Sequence, residues 1–394
     1  MDGNALHATS KTDLHSTNWH GRFPYNEIIT LLDVNRPFNL AESTSHDLTL
    51  GELLDLVGLE DLRGLKLGYG TSAGSAKLRE AIADACNVPP EQVVTTQGTA
   101  LGLFLLAFET CRPGDEAVLV TPCFPPSHDS LVGAGVTVHT VPLSFERCYR
   151  LDLDRITARL SSRTKLVSIA SPQNPSGIQT TRAEVEQLLV LMAQQSPGAL
   201  LFIDETYREA TYGDRPVVDS FAGLDPRVVT GASVSKALGA PGLRTGWLTV
   251  PDADLRKRLL VAKMNMVISG STLDEALAAG LLCKRQNVLA PRRQLLACTL
   301  EQLSAWCAAE QKRIEWVRPD AGALCCLRLR ADAFTDHAVQ HFWDVLSSHD
   351  VQLASGTWFG ESNRVFRLGF GYLPAERLAP ALSALSAAMS AASA

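Results

Sequence analysis

Ser233-Val234-Ser235-Lys236-Ala237-Leu238-Gly239-Ala240-Pro241-Gly242-Leu243-Arg244-Thr245-Gly246-Trp247 is the stretch on which the fold turns. It follows Val228–Ala232, an apolar run with the length and composition of a strand buried on both faces. A single lysine after a strand is ordinarily a surface charge. Here Ser233 and Ser235 precede the lysine and Arg244 follows it. An amine able to condense with an aldehyde therefore lies beside hydroxyls and a guanidinium able to hold a phosphate. Gly239, Gly242 and Gly246 let the backbone come close to a ligand.

Working outward, short β-rich runs alternate with amphipathic helical patterns from about residue 70 to 250. The predicted strands are Val93–Thr96, Ala117–Thr121, Val136–Pro142, Leu166–Ala170, Leu200–Asp204, Val228–Ala232 and Trp247–Val250. Several are continuous Val/Ile/Leu runs, which predicts an α/β fold with a mostly parallel sheet covered by helices. Ala76–Cys86 places Leu78, Ile82 and Ala85 on one helical stripe, and Leu101–Phe108 is apolar nearly all round, so that helix should be central. Beyond about residue 275 come Ala/Leu/Arg/Gln-rich helical patterns and two short strands, Leu324–Leu329 and Val365–Phe370. A final alanine-rich helix follows, with Ser386–Ala394 expected to fray. The expected division is an N-terminal segment (1–50) joining a small α+β domain (276–394), with a large domain (51–275) between them.

Other chemistry-bearing residues fall at the ends of these runs. Asp204 closes an apolar strand, where a carboxylate is costly to bury without a cationic partner, although a strand-end Asp is also a good cap. Gly98-Thr99-Ala100 opens a helix directly after a strand, so its free N–H groups and dipole can take a phosphate. Asn174 sits in Ser171-Pro172-Gln173-Asn174-Pro175-Ser176-Gly177, which is equally a good turn.

The run S-x-S-K-x-x-G-x-x-G-x-R-x-G-W resembles the lysine motif of fold-type I pyridoxal-phosphate (PLP) enzymes, the class I/II aminotransferase family, over about residue 50 to the end. The resemblance implies that Lys236 carries the cofactor and acts as acid and base at the substrate Cα. It makes Asp204 the partner of the protonated pyridine nitrogen, and Tyr207 and Asn174 the hydrogen-bond partners of the ring's phenolic oxygen. Phe124 stands where the family places an aromatic that stacks on the ring, often a Tyr. Gly98, Thr99, Ala100, Ser233, Ser235 and Arg244 would hold the phosphate. Arg367 matches the arginine that forks onto the substrate α-carboxylate, with Arg364 as a weaker competitor. Tyr69, in Gly68-Tyr69-Gly70-Thr71, resembles the tyrosine that reaches across a homodimer to the other subunit's phosphate; alone it reads as a turn aromatic.

At finer grain, His46-Asp47-Leu48-Thr49-Leu50-Gly51-Glu52-Leu53, with the Asn-Pro-Ser-Gly turn and the glycine-rich run after Lys236, is similar to the capreomycidine synthase branch. That branch eliminates the hydroxyl of a hydroxylated arginine and closes a guanidine ring. A conventional aminotransferase moving an amino group to a 2-oxo acid is the alternative, ahead of a racemase, oxidase or other lyase. A non-catalytic binding module on the same fold is the remaining reading. The loop Asn39–His46 borders the substrate in each enzyme reading, where Glu42 would meet a guanidinium and His46 would serve as a base, or both would be plain loop residues.

Composition narrows the partners. The net charge of −6, with Lys and Arg scattered throughout, draws the protein to neither nucleic acid nor an anionic membrane. None of the nine cysteines forms a C-x-x-C pair, so reduced thiols are expected and neither disulfides nor a metal site. The N-terminus lacks a hydrophobic signal core, and no apolar stretch approaches the ~18 residues that span a bilayer, so a cytoplasmic address is expected.

Overall fold

The computed structural model describes residues 21–58 and 60–393. After the short strand Phe38–Asn39 (β1), a central sheet is built from Val93–Thr96 (β2), Glu116–Thr121 (β3), Thr137–Pro142 (β4), Thr164–Ala170 (β5), Leu200–Asp204 (β6), Val228–Ser233 (β7) and Gly246–Thr249 (β8). The spatial order is β2-β8-β7-β6-β5-β3-β4. From β7 to β4 all neighbours are parallel, while β8 runs antiparallel to both β7 and β2. The carboxyl ends of β2, β3, β5, β6 and β7 therefore share one edge, and β8 starts from that same edge.

One apolar core lies on each face of the sheet. The first gathers Leu103, Leu105 and Leu106 of the helix Gly98–Thr110 with Phe202, Leu248, Leu255 and Leu259. The second gathers Val185, Leu188 and Met192 of the helix Arg182–Gln195 with Val118, Val167, Leu201 and Ile203. The latter helix starts at a reciprocal cap: the Thr181 hydroxyl accepts from the Glu184 N–H, and the Glu184 carboxylate accepts from the Thr181 N–H. Thr49 and Glu52 build the same device ahead of Leu50–Val57.

A second, antiparallel sheet has the order β12-β13-β10-β9, from Ile314–Val317 (β9), Leu324–Leu329 (β10), Ala354–Ser355 (β12) and Val365–Gly369 (β13). It holds two more strands than the sequence predicts. In β9 the two end residues are buried and the central Glu315 and Trp316 are half-exposed, so no alternation marks it; β12 is only two residues long. Val351–Gln352 (β11) pairs in parallel with β1, so the N-terminal segment runs alongside this sheet. The helix Thr272–Cys283 crosses residues 275 and 276 without a break.

The alanine-rich tail departs from expectation. It is helical to Ser393, with Ala388 and Met389 fully buried, and Trp306 Nε1 donates to Ser386 Oγ at 2.9 Å. Small side chains here allow close helix packing rather than fraying. Behind β13, Phe366 is fully buried, its ring 5.8 Å from Phe342 and 6.4 Å from Trp343. Phe366→Ala is expected to cost about 3–5 kcal/mol, read as a lowered urea midpoint with an unchanged slope.

Candidate active site

The shared sheet edge opens on a cavity of about 650 Å³, within the usual size of small-molecule sites. Its wall includes Gly98, Thr99 and Ala100 after β2, Phe124 after β3, Asn174 after β5, Asp204 and Tyr207 from β6, and Ser233, Ser235 and Lys236 from β7. Arg244 enters from the start of β8, Arg367 from β13 and Glu42 from the segment after β1.

Asp204 Oδ1 accepts from the Thr206 N–H at 2.9 Å and from the Thr206 hydroxyl at 2.5 Å. Burial nevertheless holds its pKa above the ordinary carboxylate range, with Thr206 and the Lys236 charge only partly opposing that rise. A cation reaching this carboxylate would be stabilised by a charge the fold has already desolvated.

Arg367 presents the opposite charge. It is 2% exposed, and among the described residues no carboxylate lies within ion-pair distance of it. Nη1 donates to Asn174 Oδ1 at 2.9 Å, Nη2 donates to the Ala41 carbonyl at 2.6 Å, and Nε has no protein acceptor. Its guanidinium carbon lies over the Phe359 ring, 4.8 Å from the centroid. Burial lowers its pKa. Because arginine only donates, the Asn174 atom facing it must be the amide oxygen, which leaves the Asn174 NH₂ free to donate elsewhere. Tyr207, likewise buried, shares a 2.8 Å hydrogen bond with Ser43 Oγ. Arg364, the competing arginine, bonds instead to the Phe334 carbonyl and to Asp336 and is absent from the cavity wall.

The other end of the cavity suits an anion. Gly98 has φ of +76°, and a Cβ there would lie 2.4 Å from Arg244 Nη2, so the guanidinium sits directly over the start of the helix. Gly246 is as tightly constrained: a Cβ would meet the Gly98 and Thr99 backbone at 2.6 Å. Ser233 and Ser235 complete a set of N–H, hydroxyl and guanidinium donors that fits a phosphate.

Two of the residues singled out from sequence lie elsewhere. Tyr69 is 86% exposed and does not line the cavity. His46 is also outside the wall: its carbonyl accepts from Arg292 Nη2 at 2.6 Å, and the residue as a whole is exposed. Its neighbour Asp47 faces the cavity instead. Ser43, the Ala41 carbonyl, Thr206 and Phe359 act through contacts distant in sequence or through a hydroxyl common to any turn, and no motif marks them.

The family described as aminotransferase class I and II matches residues 37–385. The chain belongs to this family. It is a PLP-dependent enzyme with the fold-type I architecture of its relatives. Capreomycidine synthase of Streptomyces vinaceus is 32% identical over 353 residues, 88% of each protein. Arginine–pyruvate transaminase of Pseudomonas aeruginosa is 27% identical over 75% of each. A PLP-dependent aminotransferase from Streptococcus suis superposes with a TM-score of 0.85 at 24% identity, covering 94% of this protein and 99% of the other. The PLP-dependent cyclase OrfR gives 0.82 at 23% identity, with 95% and 99% covered. Among the described residues, no helix of this family member is long and apolar enough to cross a membrane.

The raised pKa of Asp204 sets a linkage. A carboxyl whose folded pKa lies above its unfolded value favours the folded state most when protonated, so its contribution fades as pH rises through the folded pKa. In cofactor-free protein at pH 7, Asp204→Asn is therefore expected to melt higher than the parent. The gap should close as pH falls below the ordinary Asp value of 3.8, to about pH 3, where the carboxyl is mostly protonated in both states. Calorimetric scans across that range test it.

Proposed function

We propose that this enzyme is a cyclase that eliminates the hydroxyl of a hydroxylated arginine and closes a guanidine ring, with Lys236 as the group that moves the proton at Cα. The choice of reaction rests on one observation, the 32% identity with capreomycidine synthase across 88% of both proteins. The assignment to α-carbon chemistry rests on the cavity, where an amine, a desolvated carboxylate and a buried arginine lacking a carboxylate partner converge.

When bound, PLP supplies an aldehyde carbon and a cationic ring that accepts the electrons released at the substrate Cα. The protein's own residues do the rest. The donors of Gly98, Thr99, Ala100, Ser233, Ser235 and Arg244 would hold the phosphate, and Asp204 would keep the ring nitrogen protonated. Phe124 would pack against the cofactor ring, and the Asn174 amide and the Tyr207 hydroxyl would supply hydrogen bonds to its phenolic oxygen. Arg367 takes the α-carboxylate through the donor capacity that Asn174 and Ala41 leave free. Lys236 removes the Cα proton and later returns one. The bond from the hydroxylated carbon to its oxygen breaks, a guanidine nitrogen bonds to that same carbon, and water leaves. The sum is a dehydration with no change of oxidation state, so no amino acceptor is consumed.

Transamination is the second reading, favoured by the similarity to arginine–pyruvate transaminase. It would use the same Lys236 proton transfer but require a 2-oxo acid in each cycle. A homodimer is part of the proposal as well. Tyr69 and its neighbour Leu67, 86% and 79% exposed, form an apolar tip suited to a second subunit, from which Tyr69 would reach the other phosphate site.

Lys236→Ala should abolish turnover and the reducible covalent link to PLP, detected by mass after borohydride treatment, while circular dichroism stays unchanged. Full activity in this variant would overturn the role of Lys236. Incubated with a hydroxylated arginine and no 2-oxo acid, the enzyme should release a cyclic guanidino amino acid that keeps its α-amino group. Strict dependence on a 2-oxo acid would establish transamination instead.

A further inference from the structure

The segment after β1 brings two carboxylates to the cavity that anchoring PLP does not require. Glu42 and Asp47 line the same wall as Lys236 and Arg367. Among the described residues neither lies within ion-pair distance of an arginine or lysine. Asp47 Oδ1 accepts a long hydrogen bond, 3.4 Å, from the Thr44 hydroxyl. Burial, then the charge of Glu42, hold its pKa above the ordinary range. The Lys236 charge and the Thr44 hydroxyl only partly offset that rise, so a further cation entering between the two carboxylates would relieve Asp47.

Their position is built. Asn39 Oδ1 accepts from the N–H groups of Ala41 and Glu42, each at 3.1 Å. Past Asp47, Leu48 N donates to the Gly239 carbonyl at 2.7 Å. Arg292 ties the two loops together, donating to the Ala237 carbonyl at 3.1 Å and the His46 carbonyl at 2.6 Å. Only glycine fits at 239, where φ is +63° and a Cβ would lie 2.2 Å from Arg292 Nη1 and 2.5 Å from the His46 carbonyl oxygen. The acidic wall is thus fixed against the loop that follows Lys236. The same cavity holds the buried Arg367 with its Nε unpartnered. One cavity therefore presents a cation for an α-carboxylate and a pair of anions for a group of opposite sign.

We infer that Asp47 and Glu42 form the side-chain subsite, selecting an α-amino acid whose side chain ends in a hydrogen-bond-donating cation, a guanidinium by preference. A guanidinium's planar array of donors can engage two carboxylates at once, which a compact ammonium does less well. The inference rests on the proposed reading in that Arg367 must hold the α-end. It does not depend on whether the reaction is cyclisation or transamination.

The test is equilibrium binding of L-arginine and L-citrulline to the PLP-loaded enzyme by calorimetry. Citrulline replaces the guanidinium by a neutral ureido group of nearly the same shape. The parent should prefer arginine by about tenfold or more, the scale of one charge-assisted hydrogen bond. Asp47→Asn and Glu42→Gln should each weaken arginine by about tenfold while citrulline changes less than about twofold. Asp47→Glu, which keeps the charge, should retain most of the preference. Equal affinities in the parent, parallel losses for both ligands, or binding of neither overturns the inference, and the parent comparison stands if a variant does not fold. Strict 2-oxo-acid dependence would retire the cyclase reading and leave these affinities untouched.

Discussion

Strand direction governs this active site. Because β7, β6, β5 and β3 run parallel and β2 shares their direction, every turn that leaves a carboxyl end opens on one edge of the central sheet. Residues far apart in sequence, from Gly98 through Phe124, Asn174 and Asp204 to Lys236, meet there with no need for a long loop to reach across. The reversed strand β8 is part of the same arrangement, since its start delivers Arg244 beside the helix that begins at Gly98. Gly246 then packs on the Gly98–Thr99 backbone at a separation no side chain would allow.

That edge concentrates charges which the folded protein does not neutralise. Asp204 is buried against hydroxyl and amide donors, and Arg367 against an amide oxygen and a carbonyl, so each is solvated by dipoles rather than by a counter-ion. Burying charges in this way opposes folding, as the shifts of both groups away from their ordinary pKa values indicate. The apolar cores on the two sheet faces and behind β13 supply the offsetting stability. Ligands of opposite sign would return part of the cost, coupling occupancy of the site to stability of the fold.

Legibility in the sequence follows the physics of each element. Leu200–Asp204 is legible because burial on both faces makes Leu200–Ile203 a continuous apolar run, and Val93–Thr96 because all four of its residues are β-branched. Ile314–Val317 escapes because its buried residues are at the two ends, and Ala354–Ser355 because two residues carry no period. In the cavity, Lys236, Asp204, Asn174 and Arg367 stand in motifs with local signatures. Asp47 adjoins His46, yet nothing in the residue types says which of the two neighbours faces inward. That is decided by Arg292 holding the His46 carbonyl, a contact between residues 246 positions apart. Ser43 and Thr206 are ordinary loop hydroxyls until the fold brings them to Tyr207 and Asp204.

The two ends of the cavity answer to different constraints. The groups proposed to hold PLP hang from the central sheet, where a shift of one strand would disturb several of them together. On the proposed reading, the groups that would meet a substrate side chain come from residues 28–47, a segment paired through β1 with β11 and tied to the second sheet by the Gly369 N–H donating to the Leu40 carbonyl at 2.8 Å. Substitutions in that segment can alter which side chain is admitted while Asp204 and Lys236 stay where β6 and β7 put them. A scaffold divided in this way accommodates several reactions on one cofactor. It is consistent with a protein that resembles both capreomycidine synthase and arginine–pyruvate transaminase over most of its length.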